Sequence, residues 1–193
     1  MPKVLYTGPK GLHQVTGTGI VFDEDIGQTW GAGAIGDGAA PKAFRRTENG
    51  VIVTTIKIDI SGLGVKGDAA NDVIGLAAGG AAYIYRNEVA KNGVIFRAEV
   101  ACIEVPGQGT ATITTDIDLA FHASAALEYD GAAGAAEINT GGFANAGKVA
   151  VDNDLNLTDN DYLYLVEGDT AATTGVYNAG QFIIRLYGHA LLT

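Results

Sequence analysis

Residues 51–60 read "VIVTTIKIDI", and the alternation inside this stretch decides the fold class. In an extended chain successive side chains point to opposite faces. Ile52, Thr54, Ile56, Ile58 and Ile60 therefore share one face, and Val53, Thr55, Lys57 and Asp59 share the other. β-branched residues suit a pleated surface, so this is a half-buried strand. The same period returns in "GVIFRAEVACIEV", where Phe96, Ala98, Val100 and Cys102 oppose Arg97 and Glu99. Glu104 breaks that alternation, which predicts a bulge or a strand end, and Pro106-Gly107 predicts a closing turn.

The longest alternating run is "TATITTDIDLAFHASAALEYDG". Ile113, Ile117, Leu119 and Phe121 form its apolar face, and Thr112, Thr114, Asp116 and Asp118 its polar face. "AAYIYR" places Tyr83 and Tyr85 on one face of a further strand, and "DYLYLVEGD" adds another. In "GQFIIRLYGH" both faces are partly apolar, as in a central strand. Helix signals are weak: Asp72–Leu76 predicts at most one short helical turn, and glycine interrupts "GAAGAAEINTGGFANAG" too often for a stable helix. Several short strands separated by turn signals predict an all-β protein, a sandwich or a barrel, and an antiparallel β-sandwich is the expectation. Residues 1–46 carry frequent glycine and little periodicity. They are expected to form an extended arm or loop-rich segment, with one short strand at Gly19–Phe22, ahead of a sandwich domain at 47–193; loops packed on the same domain are the alternative.

Composition narrows the function. The chain has 193 residues, one cysteine and a formal net charge of -10, with a pI near 4.5. A lone Cys102 allows no intrachain disulfide and reads as a small core residue. The acidic balance disfavours nucleic acid as a partner, because such binding depends on Lys and Arg neutralising phosphates. No stretch is apolar enough to span a bilayer, and "MPKVLYTGPK" lacks the apolar run of a signal peptide. Residues 1–46 hold five of the twelve basic residues but four of the twenty-two acids, so the remainder is strongly acidic.

Each motif with catalytic or binding potential meets a physical objection. "GAGAIG" spaces Gly31, Gly33 and Gly36 like a dinucleotide-binding turn. That turn needs a strand before it and a helix after it. Here an acidic segment precedes it and Pro41 follows, so a glycine-rich loop beside Trp30 is expected and no nucleotide. Asp152, Asp154 and Asn156 imitate a calcium loop, but Leu157 stands where glycine is required and Leu163 where glutamate is. A solvated turn containing Asp159 and Asp161 is expected there, with Asx side chains bonding local amides and a looser calcium site as the alternative. His13, His122 and His189 have no zinc-pair spacing. A thiol–imidazole pair between Cys102 and His122 would need proximity in space. Ser61 and Ser124 are the only serines, and neither sits in a nucleophile elbow. Asp116 and Asp118 share a strand face without signs of a sugar cleft. Tyr83, Tyr85, Tyr162, Tyr164 and Tyr187 read as core rim or subunit interface, with a carbohydrate platform as the alternative. No catalytic, cofactor-binding or metal-binding residue is assigned, and no enzyme is expected.

The segments "DIDLAFHASAALEYDGA", "DYLYLVEGD" and "GVYNAGQFIIRLYGH" resemble small virion structural proteins of tailed bacteriophages, and "GLHQVTGTGIVF" is compatible with them. The resemblance runs over about residues 51–190. It implies a head decoration, or cement, protein: a jelly-roll-like sandwich on the outer surface of the capsid, partnered by the major capsid protein and by itself as a homotrimer. A tail, neck or fibre component, or a carbohydrate-binding sandwich, is the alternative. The resemblance supplies no site residues.

Overall fold

The computed structural model describes residues 4–7, 11–14, 26, 28–66, 71–108, 113–134, 138–155, 157–168 and 174–189. The elements are β1 (Val4–Thr7), β2 (Gly11–Gln14), β3 (Lys42–Glu48), β4 (Val51–Asp59), β5 (Gly64–Val65), β6 (Tyr85–Arg86), α1 (Val89–Asn92), β7 (Val94–Gln108), β8 (Ile117–His122), β9 (Val149–Asp152), β10 (Tyr162–Glu167) and β11 (Gly175–His189). One 3-10 turn spans Ala32–Ala34. The protein is an all-β antiparallel sandwich. Its large sheet runs β3-β4-β11-β7-β9, with β5 joined to the start of β11. Its small sheet runs β6-β10-β8, and an isolated bridge from Leu119 to Ile138 adds one more chain segment beside β8. β1 and β2 form a separate antiparallel hairpin.

The alternation read from the sequence sets the inner faces. Ile56, Ile58 and Ile60 of the β4 run, Ala98, Val100 and Cys102 of β7, and Phe182, Ile184 and Leu186 of β11 meet Ile117, Leu119 and Phe121 of β8 and Leu163 and Leu165 of β10. Each large aliphatic or aromatic side chain so buried contributes about 2 kcal/mol. The outer face of the large sheet is mixed: Lys57 pairs in register with Ile183, and Thr55 with Arg185. Glu104 marks a bulge as expected, because the register slips between Gln181–Glu104 and Phe182–Cys102.

Four features depart from the sequence reading. Pro106-Gly107 does not end β7; the strand passes through to Gln108 with further register slips opposite Tyr177 and Ala179. A proline at an irregular ladder position forfeits little, since its missing N–H has no regular partner there. Asp72–Leu76 is not a helical turn. Val73 bridges Val166, Gly64 bridges Gly75, and the Ile74 amide donates to the Leu165 carbonyl at 2.9 Å. Tyr83 and Tyr85 do not share a face: Tyr85 is in the inter-sheet core, whereas Tyr83 packs on the second cluster outside the small sheet. The polar face of β8 is not solvated either. Asp118 is buried, because Ala120, Tyr164 and Val166 form a second core with Val73, Ala82 and Ala133 over that face. The small sheet is thus covered on both sides.

The boundary expected at residues 46 and 47 falls inside β3. β3 pairs with β4 along its whole length, from Lys42–Lys57 to Glu48–Val51. Ala34 and Ala43 are core residues, and the Ile26 amide donates to the Ala43 carbonyl at 3.0 Å. Residues 28–46 therefore belong to the sandwich. The strand expected at Gly19–Phe22 lies outside the described residues. A chain starting at residue 47 would lose an entire edge strand. Compared with one starting at residue 26, its melting temperature should fall by about 10 °C or more. Equal melting temperatures by calorimetry would contradict the placement of β3 in the sandwich.

Candidate functional site

The glycines of "GAGAIG" serve close backbone approach within the protein. The Gly31 amide donates to the Tyr83 carbonyl at 2.9 Å and the Gly33 amide to the Ala81 carbonyl at 2.8 Å. A Cβ on Gly31 would lie 2.2 Å from the Ala81 oxygen, one on Gly33 2.3 Å from the Gly80 oxygen, and one on Gly36 2.1 Å from the Ser61 oxygen. The small spacing that suits a pyrophosphate elsewhere here lets two chain segments lie against each other.

Asp116 and Asp118 fasten a loop. Asp118 Oδ1 accepts the Thr140 amide at 2.7 Å, and Asp116 Oδ1 accepts the Gly142 amide at 2.6 Å and the Thr140 hydroxyl at 3.2 Å. From the other side Lys148 Nζ donates to the carbonyls of Thr140, Gly141 and Gly142. One ammonium and two carboxylates thus satisfy both polarities of the same backbone turn. Gly168 leaves room for the pair, since a Cβ there would sit 2.6 Å from Asp116 Cγ and 2.7 Å from Asp118 Oδ2. Burial, reinforced by the Asp116 carboxylate and only partly opposed by the Thr140 amide, holds the Asp118 carboxyl above its usual range.

A concave site lies beside β3, β6 and the start of β10. It is a cavity of about 310 Å³ lined by Arg45, Tyr83, Arg86, Glu88, Lys91 and Tyr162, with Ile26, Gln28 and Thr29 at its margin. Its base is a buried polar cluster centred on Asn92. Asn92 Oδ1 accepts the Tyr85 hydroxyl at 2.8 Å, the Thr54 hydroxyl at 3.2 Å and Arg45 Nη2 at 3.2 Å. Its amide nitrogen donates to Asn87 Oδ1 at 3.1 Å, and Asn87 donates on to the Thr158 carbonyl at 2.9 Å. Such a network specifies one arrangement only when every member is satisfied. α1 delivers Asn92 inward, and Gly93 follows at φ 73° with its amide bonded to Val89. On the outer side Arg86 lies 5.9 Å from the Tyr162 ring centre and donates to Asn160 Oδ1. Tyr83 and Tyr162 meet edge to face at 5.1 Å.

Of the five tyrosines singled out by sequence, only Tyr83 and Tyr162 line this cavity. Tyr85 supports it from beneath. Tyr164 is buried, donates to the Ser124 carbonyl at 2.7 Å, and has its hydroxyl pushed up to about 12, chiefly by desolvation. Tyr187 donates to Glu99 at 2.8 Å within a surface group that includes Arg97 and Arg185. Arg45, Arg86 and Asn92 were not recognisable as site residues in the sequence; the one available signal was the presence of arginines in an otherwise acidic, alanine- and glycine-rich chain.

The remaining candidates are dispersed. Cys102 is buried on β7, where desolvation and then Glu104 raise its thiol. His122 closes β8 in the other sheet, and its Nδ1 accepts the Ser124 amide at 2.9 Å. His189 stacks on Phe96 at 4.2 Å, and the side chain of His13 lies outside the described residues. In the acidic turn Asp152 accepts the Asp154 amide at 2.8 Å, and Asp161 accepts the Thr158 amide at 2.7 Å. Asp159 accepts the Val89 amide at 2.8 Å, while Asn156 lies outside the described residues. The Asp152 and Asp161 contacts are the local ones expected of Asx side chains, whereas Asp159 reaches the distant start of α1. Among the described residues no three metal-ligating side chains converge. Compared with known protein families, curated proteins and solved structures, the chain matches none.

Two outcomes are expected here. Gly33→Ala should destabilise the protein by about 2 kcal/mol or more in urea unfolding, since backbone must move to admit the methyl group; an unchanged midpoint would contradict the close approach. Asp118 binds its proton more readily folded than unfolded. Its contribution to stability is therefore largest below the unfolded carboxylate value of about 3.9 and declines as pH rises through its higher folded value. The stability of wild type relative to Asp118→Asn should fall across that window, and a pH-independent difference would contradict the assignment.

Proposed function

We propose that this chain is a non-enzymatic structural protein of a tailed-phage virion, of the head decoration type, acting as a homotrimer on the outer surface of the shell with the major capsid protein as partner. The observation that carries the reading is strand order. Counting β4, β6, β7, β8, the segment at Ile138, β9, β10 and β11 as strands one to eight, the large sheet runs one-eight-three-six. The other sheet runs two-seven-four-five. Two interleaved Greek keys produce this order, which supports a jelly roll. The three segments that carry the phage resemblance coincide with β8 and the chain after it, with β10, and with β11.

The outer face of the large sheet offers a surface for assembly. Val149 and Val151 of β9 are 49% and 43% exposed, and Ile103 of the neighbouring strand is 50% exposed. Among the described residues β9 is paired on one side only, with β7. Apolar side chains beside an open strand edge suit a second copy of the chain, whose symmetric packing would cover them. An anchoring role for a basic arm draws less support. Lys42, Arg45 and Arg46, three of the five basic residues counted there, stand in β3 of the sandwich.

The test is a binding experiment with particles. Purified virions should contain the chain in fixed ratio to the shell protein, and shells stripped of it should take it back and melt at a higher temperature. Its absence from the particles, or failure to rebind, would overturn the reading. The double change Val149→Lys with Val151→Lys should leave unfolding stability within about 1 kcal/mol and convert a trimer into monomers by native mass spectrometry. A trimer that survives it would move the interface elsewhere.

A further inference from the structure

The cavity floored by Arg45 goes beyond the structural role just proposed. Two of its cations lack an acid. Arg45 is half-buried and bonds only to neutral groups, Tyr85 and Asn92, and its Nε is buried without an acceptor. Arg86 bonds to the neutral Asn160, lies over the Tyr162 ring, and likewise has a buried Nε without an acceptor. The third cation is already neutralised, because Lys91 pairs with Glu88 at 2.8 Å. The cavity thus keeps two uncompensated positive charges within a chain whose formal net charge is -10. Twenty-two acidic residues were available to pair them, and among the described residues none does. Half-buried guanidinium groups are expensive to leave without a counter-charge, and arginine is the side chain best shaped to grip a planar anion.

We propose that this cavity binds a small carboxylate-bearing sugar, with the carboxylate between Arg45 and Arg86 and the ring against the Tyr83–Tyr162 pair. Its volume of about 310 Å³ is at the small end of ligand sites and suits a single ring. The two tyrosines meet edge to face and present aromatic surface next to hydroxyl groups, the combination a ring with polar and apolar edges requires. The Lys91–Glu88 pair adds no net charge, so the preference for a carboxylate over a phosphate ester rests on the planar fit of its two oxygens to the guanidinium groups. Arg45 is held in place by the Asn92 cluster, so the site is formed before the ligand arrives.

The test uses the full chain and three probes: glucuronate, its neutral counterpart glucose, and glucose 6-phosphate. Titration followed by calorimetry and by amide chemical shifts should show saturable binding of glucuronate, weakened by added salt, and no binding of glucose. Arg86→Gln, confirmed folded by its unfolding curve, should weaken glucuronate binding at least tenfold. Lys57→Gln, which removes an exposed cation outside the cavity, should change it less than twofold. Because Arg45→Gln disturbs the buried cluster and could unfold the protein, Tyr162→Ala provides the second site variant and should also weaken binding. Equal binding of glucose and glucuronate, tighter binding of the phosphate ester, no saturation by glucuronate at ~20 mM, or full binding by folded Arg86→Gln would each overturn the proposal. Because the virion role is read from particle attachment and this site from sugar titration, either can fail without the other.

Discussion

β11 is held on both edges, and the sandwich is organised around that constraint. It pairs with β4 over nine consecutive positions, Gln181–Asp59 to His189–Val51, and with β7 over a span that includes Tyr177–Gln108 and His189–Val94. A strand whose amides and carbonyls are used on both sides cannot slip without breaking two ladders and turning Phe182, Ile184 and Leu186 out of the core. Its earlier part also bonds to β5, and Tyr177 reaches across to the Thr114 carbonyl at 3.0 Å. Large-sheet register, bulge positions and the contact to the chain leading into β8 all pass through this one strand.

The same economy of backbone partners explains the loops. Segments 71–76 and 81–84 have little regular structure, yet their amides and carbonyls bond to β10, to the loop at 127–131 and to the glycine turn at 31–33. A buried backbone without such partners would be unstable. This is why glycine is needed at 31, 33 and 36, where carbonyl oxygens approach closely, and why Asp116 and Asp118 stay buried as acceptors for the 140–142 turn. Groups that look catalytic in a list of residues are absorbed here by the construction of the second core.

The cationic cavity follows from how the two sheets meet. β3 carries Arg45, β6 carries Arg86 and α1 carries Lys91 and Asn92. They come from three stretches separated by some forty residues at the widest, and their grouping exists only once β3 has joined β4. A boundary at residue 46 would cut this site apart; glycine-rich aperiodic sequence is compatible both with an arm and with loops packed on the domain, and β3 packs on the domain. Glycine there marks tight packing.

Alternation by itself determined that the chain is built of β-strands, which side of β4 and β7 faces inward, and that the ladder is irregular at Glu104. Those features are local: they depend on side chains two residues apart along one strand. Tertiary structure decided the rest. Whether a polar face meets water depends on what covers it, and Asp118 and Thr114, on a polar face by sequence, are buried. Whether Tyr83 and Tyr85 share a side depends on where the segment becomes a regular strand, which begins only at Tyr85. The meeting of Arg45 with Arg86 depends on contacts between distant segments, and a pattern of period two within a strand carries no information about which strands become neighbours.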